Sequence, residues 1–154
     1  MENERRRKPV DERIDELVSS WPGIAPKRGR FGAVSFDLEG SEIGHVHPSV
    51  ADIDYPKPLR EQLLAEGRTE VHHAVPMHPT ATTYRIESAD DVAHAVWLFR
   101  LSYLVHVAAL QRDEEATPSL AAIDIEAELE ALEPSDAIRR AFDAAVERRD
   151  DVRG

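Results

Sequence analysis

Five of the seven histidines in the chain fall between positions 45 and 78, at His45, His47, His72, His73 and His78. Imidazole is the side chain whose ordinary pKa lies closest to neutral pH, and it is also the commonest metal ligand in proteins. This local density is the one compositional anomaly of the chain. We therefore expect any chemical or binding site to lie in this region.

The spacing of the first two histidines suggests what that site could be. His45 and His47 lie in a segment that alternates like a strand, so both rings project to one face, about 7 Å apart. Residues nearby in the sequence or on a later predicted strand that could complete a ligand set are Asp52, Asp54, His72 and His73. The pattern predicts a mixed histidine and carboxylate site for zinc, iron or manganese.

Two other interpretations stay open for the same cluster. Without a metal, histidine and aspartate at the end of a small sheet could bind an anion or another small molecule, or act as acid and base. Alternatively, each ring is an ordinary polar side chain satisfied by a neighbour. His94 and His106 lie in a long predicted helix, and we expect them to be helix-surface or core residues. No G-x-S-x-G, P-loop or G-x-G-x-x-G pattern supports a serine hydrolase or a nucleotide-binding fold.

The absence of cysteine narrows the chemistry further. With no cysteine, disulfide scaffolds, thiol nucleophiles and cysteine-ligated metals are excluded, so a metal would need histidine and carboxylate ligands. Six of the first eight residues are charged, and no signal-like apolar stretch follows them. No uninterrupted apolar run approaches the ~20 residues that span a bilayer. The sequence predicts a cytoplasmic protein without a membrane span.

Acidic residues dominate the charge of the chain, with 30 acids against 19 bases and a formal net charge of −11. The excess is concentrated in residues 113–154, which carry 13 acids and five bases. Such a surface repels phosphate backbones, so we expect no nucleic-acid partner. Sixteen of the 19 bases are arginine, which fits either adaptation to a salt-rich cytoplasm or a GC-rich genome.

Periodicity predicts the elements that must position the histidines. Apolar stripes predict helices over 10–21, 59–66 and 92–110, followed by further helices in the acidic segment. Alternation predicts strands at 34–38, 42–48, 71–75 and 82–87, with loops at 24–30 and 51–56. The predicted fold is α+β, a small and mainly antiparallel sheet of two hairpins in an αββαββα order with acidic C-terminal helices. We divide the chain into an α+β domain at 1–112 and an acidic helical tail at 113–154, where thin apolar stripes predict low stability.

Four short segments resemble the luciferase-domain family. They are Glu42-Ile43-Gly44-His45-Val46-His47, Asp54-Tyr55-Pro56, residues 67–73 and residues 96–103. The resemblance extends over roughly residues 31–105. It implies that the characteristic polar set of the family is Glu42, His45, His47, Asp54 and one of His72 and His73. The flavin-dependent luciferases are barrels of about 250 residues, and this chain is too short for one, so we expect no flavin.

The sequence therefore favours a soluble domain that binds a small molecule or a divalent metal through the histidine and aspartate cluster. In an enzyme of this kind, His45 and His47 would be ligands or acid–base groups, and Asp54 would orient one of them. The competing hypothesis is a non-enzymatic protein–protein interaction module that uses the acidic C-terminal helices.

The two explanations of the acidic surface differ in a measurable way. Screening by concentrated salt reduces the self-repulsion of a surface with this charge. Adaptation to a salt-rich cytoplasm predicts a melting temperature that rises along a KCl series followed by circular dichroism. A protein no more stable in concentrated KCl than in dilute buffer contradicts that adaptation.

Overall fold

Six strands form one antiparallel sheet in the computed structural model, which describes residues 9–29 and 32–153. The strands are β1 (Ile24–Arg28), β2 (Val34–Leu38), β3 (Ser41–Val46), β4 (Val50–Asp54), β5 (Glu70–Val71) and β6 (Ala81–Arg85). Their order across the sheet is β1-β2-β3-β4-β6-β5. The two central strands, β3 and β4, carry His45, Asp52 and Asp54 of the predicted histidine and aspartate cluster. The predicted α+β class is confirmed.

Six α-helices accompany the sheet within the described residues. They are α1 (Val10–Ser19), α2 (Lys57–Ala65), α3 (Val92–Arg112), α4 (Pro118–Ala121), α5 (Ile125–Ala131) and α6 (Asp136–Arg153). A short 3₁₀ turn (Ala89–Asp91) leads into α3, and Ser88 and Asp91 cap that turn reciprocally. The helix α3 is apolar on most sides and supplies the largest share of the buried core.

Two strands occupy segments that the sequence analysis assigned to loops, and those assignments are wrong. Strand β1 lies within residues 24–30 and pairs only with β2, at the edge of the sheet. An edge strand tolerates Pro26, which donates no hydrogen bond, and this proline together with two basic residues hides the alternation. Strand β4 lies in the other predicted loop, where Asp52 and Asp54 interrupt the apolar pattern although Asp52 is buried.

The predicted strand at 71–75 is also wrong for most of its length. Only Glu70 and Val71 pair with β6, and His72 and His73 follow in irregular backbone. Both predicted hairpins are present, β2 with β3 and, in a shortened form, β5 with β6, and the additional strand β4 lies between β3 and β6.

Helix α3 packs closely against the central strands because one residue there has no side chain. Gly44 of β3 faces the ring of Phe99 in α3, and a Cβ atom at position 44 would lie 2.8 Å from both Phe99 Cε1 and the Asp52 carbonyl oxygen. Phe99 also contacts Phe36 edge to face, with ring centroids 5.3 Å apart. The helix thus defines the apolar face of the sheet.

Hydrogen bonds also tie α3 to the two central strands. The buried hydroxyl of Ser102 lies 3.1 Å from the Ile43 carbonyl and 2.6 Å from the Asp54 carbonyl, and it donates to these oxygens. Tyr55, directly after β4, donates to the Leu98 carbonyl at 2.8 Å. Since buried carbonyls need partners, these contacts fix the register of α3 against β3 and β4.

The described part of the acidic segment packs on the rest of the chain. Leu120, Leu129, Ile138 and Phe142 belong to the same buried cluster as the sheet and α3, and the Trp97 indole donates to the Leu132 carbonyl at 2.8 Å. The division of the chain at residue 112 and the low stability of the terminal helices stay predictions.

Within the described residues, one helical stretch, residues 89–112, is long and apolar enough to cross a membrane by length and composition alone. The most apolar 18 residues of this stretch have a mean hydropathy of 1.4, and 61% of them are buried inside the fold. Such burial is compatible with the core helix of a soluble protein.

Replacing Gly44 with alanine should destabilise the protein, because the new methyl group would meet the Asp52 backbone at 2.8 Å. We expect a loss of about 1–3 kcal/mol in the free energy of unfolding, the usual cost of overpacking a core. Chemical denaturation measures it. Gly29→Ala is the matched control, since its nearest contact would be an ordinary 3.8 Å. Equal stability of the two variants would contradict the close approach of α3.

Candidate metal centre

The clustered polar residues lie on the sheet face opposite α3. Gly44 faces the helix, so the next residue, His45, points to the other face. In the sheet register His45 is paired with Asp52, and Asp52 is paired with Thr83 of β6. Three neighbouring strands therefore place an imidazole, a carboxylate and a hydroxyl in one row across the sheet.

An irregularity in β3 brings Glu42 to the same face as His45. Residues three apart in a regular strand point to opposite faces, but the pairing of β2 with β3 shifts register between Phe36 and Asp37. Ile43 is the extra residue of this bulge. As a result, the Glu42 carboxylate lies 2.9 Å from Nδ1 of His45.

The carboxylate of Asp52 is the centre of the cluster. Its Oδ1 accepts a 2.6 Å hydrogen bond from the Thr83 hydroxyl. Its Oδ2 faces four imidazole nitrogens, the Nε2 atoms of His45 at 3.1 Å, His73 at 3.2 Å, His72 at 3.8 Å and His47 at 3.9 Å. Asp52 itself is only 4% exposed. Within the described residues, four histidines thus converge on one buried oxygen.

The segment after β5 delivers His72 and His73 to this point. The backbone N–H of His73 donates to the Thr83 hydroxyl oxygen at 3.0 Å, which replaces a strand hydrogen bond. The backbone N–H groups of Ala74 and Val75 donate to Nδ1 of His72 at 3.2 and 3.0 Å. The two rings stack with centroids 4.7 Å apart. The backbone turns away from the sheet here because side chains satisfy its N–H groups.

The electrostatics of the metal-free protein follow from these contacts. The hydrogen bond to Asp52, assisted by Glu42, raises the pKa of His45 to about 9 despite burial. Burial alone would raise the pKa of Asp52, but the hydrogen bonds from His45 and Thr83 outweigh it and hold that pKa well below its ordinary value. Burial, followed by the charge of His45, lowers the pKa of His47. Without a metal, a protonated His45 therefore bridges two carboxylates.

The structure brings together most of the residues that the sequence singles out. Glu42, His45, His47, His72 and His73 all lie within this cluster. The remaining member of the predicted set, Asp54, lies two residues beyond Asp52 on the same strand, where burial and the charge of Glu42 raise its pKa. The carboxylate that hydrogen-bonds to His45 is Asp52.

Three further histidines have other partners. The ring centroid of His78 lies 6.3 Å from that of His72, and its Nδ1 accepts from the backbone N–H groups of Thr80 and Ala81. On α3, His94 donates to the Arg68 carbonyl and His106 donates to the Ser102 carbonyl. Sequence reasoning missed Thr83, which only the strand register identifies as a member of the site.

The raised pKa of His45 makes the stability of the metal-free protein depend on pH. The folded pKa of about 9 exceeds the ordinary value of 6.5, so His45 stabilises the fold fully below pH 6.5 and loses this effect as the pH rises to about 9. We expect the free energy of unfolding, measured in the presence of a chelator, to fall across this range. His45→Gln should flatten that part of the profile, and an unchanged slope in the variant would contradict the assignment.

Comparison with known proteins agrees with the sequence resemblance. Searches of curated proteins and of solved structures gave no match. Residues 40–102 match the family model described as the Luciferase domain, and this stretch includes Glu42 and all five clustered histidines. The family match confirms the resemblance to the luciferase-domain family over residues 40–102.

Proposed function

We propose that the protein binds one divalent transition-metal ion at the cluster, through Nε2 of His45, Nε2 of His47 and Oδ2 of Asp52, whose ligand atoms all lie within 4.8 Å of one another. The observation that carries this proposal is the convergence of imidazole nitrogens on a single buried carboxylate oxygen. Two ligands of one zinc ion, each about 2.0–2.2 Å from the metal, lie at most about 4 Å apart. The distances of 3.1 and 3.9 Å from Nε2 of His45 and Nε2 of His47 to Oδ2 meet that limit.

The surroundings of the cluster support a cation over the anion considered from the sequence. Glu42 and Asp52 contact His45 directly, and the pKa of the neighbouring Asp54 responds to the charge of Glu42. Three carboxyl groups thus lie on one part of the sheet face. An anion would be repelled there, whereas a divalent cation would offset their charge.

Partners outside the ligand set orient two of the ligands. With a metal bound, Nδ1–H of His45 would donate to Glu42 and leave the lone pair of Nε2 for the ion, an arrangement that is common behind metal-bound histidines. Thr83 occupies Oδ1 of Asp52 and leaves Oδ2 for the ion. Imidazole with one carboxylate suits zinc, iron and related ions.

The proposed centre is partly open to solvent. The side chains of His47 and His73 are 37% and 39% exposed, whereas structural zinc sites are closed by four protein ligands. Solvent access allows a water molecule or another small ligand to complete the coordination. The function that we propose is therefore binding of a small molecule at a protein-bound metal, and the metal supplies the Lewis acidity.

Metal binding can be tested with protein purified without a histidine tag. We expect about one Zn²⁺ or Co²⁺ per chain, measured by calorimetry and elemental analysis. His45→Ala and Asp52→Asn should each weaken binding by at least about a hundredfold, since each removes a ligand or leaves the others misdirected. His94→Gln is the matched control, because His94 lies on α3 and bonds to the Arg68 carbonyl. Its affinity should equal that of the wild type.

The same samples separate this proposal from its competitor. Near-ultraviolet circular dichroism of each variant establishes that a lost affinity is not a lost fold. A wild-type protein that binds neither ion contradicts the metal centre. A metal-free protein that captures a partner only when residues 113–154 are present would instead support the interaction module.

A further inference from the structure

We propose that His72 is not a ligand of this metal but a hydrogen-bond donor to an oxygen atom bound to it. The inference rests on the proposed metal centre and deepens it, because it names the class of molecule that the centre takes. That class is a small ligand that coordinates the metal through an anionic oxygen, such as a carboxylate or an enolate.

The hydrogen bonds of His72 fix which of its nitrogens carries hydrogen. Nδ1 accepts from the backbone N–H groups of Ala74 and Val75, and a backbone N–H can only donate. Nδ1 is therefore bare, and the hydrogen of the neutral ring is on Nε2. A nitrogen that carries hydrogen has no lone pair for a metal.

The opposite arrangement holds at His45. Its Nδ1 faces the Glu42 carboxylate at 2.9 Å, and an ionised carboxylate only accepts. The hydrogen of a neutral His45 ring is thus on Nδ1, and Nε2 is free to bind a metal. His45 and His72 both lie near Oδ2 of Asp52, but only His45 can offer an Nε2 lone pair to a metal there.

The position of His72 shows where its N–H group can act. Nε2 lies 3.8 Å from Oδ2 of Asp52, which is too long for a direct hydrogen bond. The side chain is only 17% exposed, so bulk water has limited access to it. A hydrogen bond of ordinary length needs an oxygen atom nearer to Nε2, and an oxygen bound to the metal beside Oδ2 meets that need.

Charge favours an anionic oxygen once the metal is in place. Glu42, Asp52 and Asp54 repel an anion in the metal-free protein, but a divalent ion offsets two of these charges locally. A metal-bound carboxylate oxygen would then accept from His72, and a hydrogen bond to a charged group is stronger than one between neutral groups. His72 is on this account a positioning residue for the metal-bound ligand.

The tautomer of His72 can be measured directly in the Zn²⁺-loaded protein. Long-range ¹H–¹⁵N correlation spectra distinguish a ring nitrogen that carries hydrogen from one that is bare or metal-bound. We expect hydrogen on Nε2 of His72 and on Nδ1 of His45. A zinc-bound Nε2 at His72 would overturn the inference while leaving the metal centre intact.

Three substitutions test what the N–H group does, with Co²⁺ absorption as the readout and acetate as the probe. His72→Asn can still accept from the backbone of residues 74 and 75 but has no group that reaches the metal. His72→Gln restores an N–H donor at that distance. His78→Asn is the matched control, because Nδ1 of His78 also accepts two backbone N–H groups and its ring is not in contact with Asp52.

We expect Co²⁺ affinity to change less than about threefold in all three variants, since none of them removes a ligand. Acetate affinity should fall about tenfold in His72→Asn, the usual effect of losing one hydrogen bond to a charged group. It should recover in part in His72→Gln and stay unchanged in His78→Asn.

The outcomes separate the two proposals. Loss of Co²⁺ binding in His72→Asn, at the level expected for His45→Ala, would make His72 a ligand and overturn the inference alone. Unchanged acetate affinity in His72→Asn would also overturn it alone. A wild-type protein that binds no Co²⁺ would overturn both the inference and the proposed function.

Discussion

The buried carboxylate of Asp52 is the constraint on which the polar face of the sheet depends. An ionised carboxylate that is 4% exposed is costly unless both of its oxygens have partners. Thr83 satisfies one oxygen from within the sheet. The other oxygen faces outward, and only groups brought from other segments can satisfy it. The histidines of β3 and of the segment after β5 converge because this oxygen requires donors or a cation.

The apolar face of the sheet determines where those histidines can lie. Alternation along β3 places Gly44 against α3 and His45 on the opposite face. The Ser102 hydroxyl hydrogen-bonds to the backbone carbonyls of Ile43 and Asp54, which lie on the two central strands. The spacing between β3 and β4, and with it the distance from His45 to Asp52, is therefore fixed from the side of the core. The polar cluster is therefore backed by a closely packed core.

Local patterns predicted the elements whose side chains follow a simple period, and residues that interrupt the period obscured the others. The hairpin of β2 and β3, the long helix α3 and its cap at Ser88 follow from periodicity and capping chemistry. Strand β4 was missed because Asp52 and Asp54 interrupt its apolar run, which is where local rules are expected to fail. Histidine density located the site, but a single sequence contains no strand register. The sequence alone therefore could not show that Asp52 lies at the centre of the cluster. It also could not show that Thr83 belongs to the cluster, because Thr83 resembles any other β-branched strand residue.

The chemical role of each histidine in the cluster depends on the hydrogen-bond partner of its Nδ1 atom. When Nδ1 donates its hydrogen to a carboxylate, as at His45, the Nε2 atom of the neutral ring has a lone pair for a metal. When Nδ1 accepts from backbone N–H groups, as at His72, the hydrogen of the neutral ring is on Nε2, which then acts as a donor. A strand continuing through residues 72–75 would have used those N–H groups in the sheet and left His72 free to become a ligand. In the metal centre that we propose, the early end of β5 would therefore limit the number of imidazole ligands and leave a coordination position for a molecule from solution.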